Sequence, residues 1–89
     1  MPTTLYETRD PDRYIQQLTE SGFRVEKLDA VPTTQYYIED TRKRWFKWLG
    51  AMEVQGDSVL VNVYDNNKAN RLHQFTKDYN SSLEAAERL

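Results

Sequence analysis

Cysteine is absent from this chain of 89 residues, and histidine occurs once, at position 73. The first absence removes disulfide staples, thiolate metal sites and thiol nucleophiles. The second leaves His73 unable to build a histidine-based metal site alone, and it removes the usual triads. Gly22, Gly50 and Gly56 are the only glycines and stand far apart, so no phosphate-cradling loop or dinucleotide fingerprint can be written. No apolar run approaches the ~18–20 residues that cross a membrane. The opening Met-Pro-Thr-Thr-Leu-Tyr-Glu has neither the basic nor the apolar region of a signal peptide, which makes a cytoplasmic location the default expectation. Adjacent carboxylates such as Glu39-Asp40 point in different directions on a helix and serve better as partners of Lys43 and Arg44 than as an acid/base dyad. No catalytic constellation emerges, and catalysis by the isolated chain is not expected.

What the chain does hold is aromatic surface and balanced charge. Charged residues make up 29% and hydrophobic ones 38%, with a net charge of -2. Acids and bases are interleaved, which argues against generic polyanion binding. Two Trp, six Tyr and three Phe compensate for the modest apolar content, since each large ring can bury about 150–250 Å². One domain with a modest core is the expectation.

The densest stretch is Thr41-Arg-Lys-Arg-Trp-Phe-Lys-Trp-Leu-Gly50. On a helical wheel started at Tyr37, residues Tyr37, Ile38, Thr41, Trp45, Trp48, Leu49 and Met52 fall within an arc of about 120°. Glu39, Asp40, Lys43, Arg44 and Lys47 take the other side, with Glu39–Lys43 and Asp40–Arg44 as i,i+4 pairs. The spacing predicts a long helix capped by Thr33 or Thr34 and stopped at Gly50. Its Trp residues then read as core anchors and its basic residues as a solvated face. The alternative is a basic and aromatic surface for nucleic acid or an anion. Tyr36-Tyr37 with Trp45 and Trp48 could also line an aromatic pocket for a cationic ammonium.

Around this stretch the other elements are predicted in order. Residues 1–9 read as a flexible polar segment, with Leu5 and Tyr6 as a docking point. Asp10-Pro11-Asp12 starts a short helix with an apolar stripe of Tyr14, Ile15 and Leu18, ended by Gly22. Phe23–Val31 reads as a strand whose alternation changes parity at Leu28 and Ala30, closed by Pro32. Gln55-Gly56-Asp57 marks a turn between Met52–Val54 and Val59–Tyr64, a hairpin. Asp65-Asn66-Asn67 turns and caps a final helix from about Lys68 to Arg88, with Leu72, Phe75, Tyr79, Leu83 and Ala86 inward and His73 exposed. The expected fold is a small two-layer α+β domain over residues 10–89, about three helices on a short sheet with open edges that a second copy or a partner could cover.

Residues 10–31, Asp-Pro-Asp-Arg-Tyr-Ile-Gln-Gln-Leu-Thr-Glu-Ser-Gly-Phe-Arg-Val-Glu-Lys-Leu-Asp-Ala-Val, resemble the late helix and following strand of class I S-adenosylmethionine-dependent methyltransferases. In that family a helix ending in Gly-Phe leads into a strand, and an inserted helical cap carries aromatics over the substrate. The resemblance implies that residues 36–49 form such a cap, with Tyr36, Tyr37, Trp45 and Trp48 toward a small amine-like substrate. It also places a helix similar to Leu72–Leu89 later in the chain. The family's cofactor-binding half, with its Gly-rich turn, has no counterpart here, nor does the final strand. The chain would then be a cap-like fragment or partner subunit that binds no cofactor alone.

These readings give one leading and two competing expectations. The leading one is a non-catalytic methyltransferase-like substrate or partner region. The second is a protein-interaction or adaptor module, homodimeric or bound to another chain. The third is nucleic-acid binding through the basic face of Arg42, Lys43, Arg44 and Lys47. Together they select Tyr36, Tyr37, Arg42, Arg44, Trp45 and Trp48 as substrate- or partner-binding residues, with no metal site and no membrane partner.

Overall fold

In the computed structural model, which describes residues 2–28, 33–41 and 48–87, alternating side chains build five strands. These are β1 (Thr3–Arg9), β2 (Phe23–Leu28), β3 (Thr34–Asp40), β4 (Trp48–Gln55) and β5 (Ser58–Tyr64). They form one antiparallel sheet in the order β1-β5-β4-β3-β2. Helix α1 (Pro11–Glu20) connects β1 to β2. A 3-10 turn at Asn67–Ala69 leads into α2 (Asn70–Glu87).

Val59, Val61 and Val63 are fully buried, and each faces the residue of β1 or β4 paired beside it. Tyr14 and Leu18 of α1, and Leu72 and Tyr79 of α2, join these valines, Ile38, Met52 and Phe23 in one core. Both helices therefore cover the same face of the sheet. Each fully buried aliphatic side chain contributes roughly 1.5–3 kcal/mol of transfer free energy. Phe75 ties the layers together through ring contacts with Tyr14 and Phe23 at centroid distances of 5.7 Å.

Local chemistry sets the element ends. Asp10 caps α1 by accepting from the Arg13 N–H at 3.4 Å, and Pro11 occupies the first helical position. Asn66 caps the 3-10 turn through the Ala69 N–H at 3.1 Å. Gly56-Asp57 forms a two-residue hairpin turn, since Gln55 and Ser58 pair on either side of it.

The architecture corrects the expected count of about three helices on a short sheet. Two helices cover five strands. The predicted helix around Tyr37–Met52 is replaced by β3 and β4, with residues 42–47 outside the described set. Thr34, Tyr36, Tyr37 and Ile38 are β-branched or aromatic and favour a pleated, half-buried surface. Their alternation puts Ile38 in the core at 0% exposure, in register with Gly50 and Val25. Five strands also close a larger sheet than one hairpin could, and that requires residues 3–9. The segment read as a flexible tail supplies the edge strand β1, paired with β5 along its whole length.

Gly50 has a different role from the helix stop assigned to it. It lies in β4 beside a register shift between Ile38 and Glu39, where Ile38 pairs with Gly50 but Glu39 pairs with Trp48. Leu49 is the extra residue of this bulge and is buried, while Trp48 emerges on the opposite face. A Cβ at Gly50 would lie 2.3 Å from the Asn62 carbonyl oxygen, so only glycine lets β4 approach β5 this closely.

Candidate interaction surface

With both helices on one side, the other face of the sheet is left uncovered by the other described residues. Register places Leu5, Asn62, Ala51, Tyr37 and Glu26 in one row across all five strands. Glu7, Leu60, Glu53, Gln35 and Leu28 form the next row. Leu28, whose parity looked anomalous in the sequence, is in register on this uncovered face. The large hydrophobic side chains exposed among the described residues are Leu5, 59% exposed, and Trp48, 57% exposed. Both belong to this face.

Trp48 is held in place by its neighbours. Its ring stacks on Tyr37 at 5.3 Å between centroids and 14° between planes. Its indole N–H donates to Glu39 Oε1 at 2.8 Å. Two strands thus fix a large ring whose outer surface still meets solvent, a rigid arrangement that loses little rotamer freedom on contact with a partner. Ala51, with its small side chain, lies between Tyr37 and Asn62 in the row.

The six residues selected from the sequence divide unevenly. Tyr37 and Trp48 come together on the uncovered face. Tyr36, one position along β3, faces the other way and packs against the core, because side chains alternate along a strand. Arg42, Arg44 and Trp45 lie outside the described residues, as do Lys43 and Lys47. Leu5, Glu26, Leu28, Glu53 and Leu60 were not selected. The signal for them was the mixed polarity of β1, β2 and β5, where apolar residues fall on both parities.

On the helix side, His73 is half-buried, in place of the exposed position expected for it. Tyr6 Oη lies 2.7 Å from its Nδ1, and Nε2 lies 3.1 Å from the Tyr64 carbonyl oxygen. It links α2 to β1 and to the end of β5, which is a structural role. Burial, with the Asp65 carboxylate as a lesser cause, raises the Tyr6 hydroxyl above its ordinary value. Burial likewise pushes the Tyr14 hydroxyl far up and raises that of Tyr79. None of these groups faces the uncovered side of the sheet. An open groove of about 330 Å³ between β1 and α2 is lined by Thr8, Ser58, Asn80, Leu83 and Glu84, among others.

No protein-family model matches the chain, and no curated protein or solved structure matches it. The resemblance of residues 10–31 to methyltransferases gains no support from these comparisons. Among the described residues there is no group of His, Asp and Glu able to hold a metal ion, and no helix long and apolar enough to cross a membrane.

Proposed function

We propose that this chain is a small non-catalytic interaction module that binds another protein through the uncovered face of its sheet. One observation carries the reading: the exposed large hydrophobics of the described residues, Leu5 and Trp48, share the face that neither helix covers. An aromatic ring fixed by stacking and by an indole hydrogen bond is the kind of anchor that dominates binding energy at protein interfaces.

Capture of partners on the immobilised chain tests this. A partner specific to the face is retained by the parent and by a Lys77→Ala control on α2, and is lost with the Leu5→Ser/Trp48→Ala variant. Equal capture by parent and double variant would refute the assignment.

A further inference from the structure

We infer that the partner presents a basic segment that sets arginine or lysine beside aliphatic residues on the one side facing the sheet. This rests on the interaction-module reading and names the chemistry of its partner. Among the described residues of the uncovered face, Glu7, Glu26 and Glu53 outnumber Arg9 and Arg24, the latter in register with Glu39, which is buried and accepts the Trp48 indole N–H. Arg9 is already engaged by Glu87 of α2 in an ion pair. The carboxylates are interleaved with the apolar positions. Glu26 shares a row with Tyr37 and Leu5, and Glu7 and Glu53 flank Leu60 in the next.

Such a face rewards a partner that shows both kinds of side chain on the side it presents. Aliphatic residues would cover Leu5, Ala51 and Leu60, while cations would meet the glutamates. The outer surface of the Trp48 ring, stacked parallel on Tyr37, suits a planar guanidinium, which is attracted by the ring quadrupole and stacks on aromatic faces. Charge complementarity of this kind speeds encounter and excludes wrong partners more than it adds affinity. Among the described residues, the same carboxylates disfavour a phosphate backbone.

The test is calorimetric titration of the whole chain, at low salt, with a short acetylated peptide. In it arginine and leucine take turns at every second position and serine fills the positions between, so that an extended peptide shows both to one side. A second peptide with glutamate in place of arginine is run beside it. The arginine peptide is expected to bind and the glutamate peptide not to. Affinity should fall roughly tenfold or more in Trp48→Ala and in Glu26→Gln/Glu53→Gln. It should stay unchanged in Glu20→Gln/Glu84→Gln, which removes equal charge from the helices. Circular dichroism melts establish that each variant is folded. Loss in Trp48→Ala but not in Glu26→Gln/Glu53→Gln would overturn the basic-segment proposal and leave the interaction face standing. Binding that all the variants share equally would place the peptide elsewhere and overturn the proposal. Absence of binding by the arginine peptide would overturn it too, leaving the capture experiment to decide the face by itself.

Discussion

Gly50 is the position with the least room for change. Alanine there would set its Cβ 2.3 Å from the Asn62 carbonyl oxygen, a backbone atom that cannot swing aside. Gly50→Ala should destabilise the fold by roughly 1–3 kcal/mol, the range for overpacking in a tight site, read as a lower urea midpoint. Thr8 offers the opposite case. It is 6% exposed, and among the described residues its hydroxyl is the buried side-chain polar atom without a hydrogen-bond partner. Thr8→Val removes that uncompensated group while keeping the shape, so the urea midpoint should rise, by about 1 kcal/mol in stability. A fall in stability would mean that the hydroxyl has a partner after all.

Among the elements, the entry to α1 combines two demands on one residue. Asp10 caps the helix through the Arg13 N–H and also adopts φ 59°, a left-handed conformation that most side chains resist. Asp10→Ala loses the cap and keeps the strain, so it should cost about 1–2 kcal/mol. Asp10→Gly loses the cap but relieves the strain, and should be the milder of the two by thermal melt. The β3–β4 pair makes a different claim. Because Trp48 is more than half exposed, Trp48→Ala should leave the thermal midpoint within a few degrees of the parent, roughly the effect of 0.5–1 kcal/mol in a small domain. A collapse of the fold would show that the ring is structural and would remove the case for a binding anchor.

For the molecule as a whole, the buried tyrosines fix how stability responds to alkali. The Tyr14 hydroxyl lies 2.9 Å from that of Thr76, and both residues are fully buried. Burial raises the Tyr14 hydroxyl above its unfolded value of 10.0, and Tyr6 and Tyr79 shift in the same direction. The folded state therefore holds these protons more tightly than the unfolded chain. Their contribution is fully present below pH of about 10 and is lost as pH climbs toward the folded values. Urea unfolding at rising pH should show the midpoint dropping above that point. Tyr14→Phe should flatten the drop, although it leaves Thr76 without its hydroxyl partner. An unchanged slope in this variant would show that Tyr14 is not the controlling group.

Much of the local structure was legible because it depends on neighbours in the chain. Asp10-Pro11 started α1, Gly22 followed its end with φ 92°, Gln55-Gly56-Asp57 turned β4 into β5, and Asn66 capped the turn before α2. These signals act over a few residues through fixed dihedrals and short hydrogen bonds. The alternation of Val59, Val61 and Val63 likewise identified a strand with one buried face. Only the tertiary structure decided β1, β3 and the fate of Trp48. Thr3–Arg9 is polar enough to read as a tail, and it becomes a strand because β5 presents an edge for it to pair with. Tyr37–Met52 carries an apolar arc compatible with a helix, but the sheet lets Ile38 meet Gly50 and Val25 while the bulge at Leu49 turns Trp48 outward. Helical periodicity and pleated alternation can share many of the same positions, and what separates them here is a partner strand distant in sequence. The uncovered face follows from the same cause, since which side of a sheet two helices cover is settled when the layers pack.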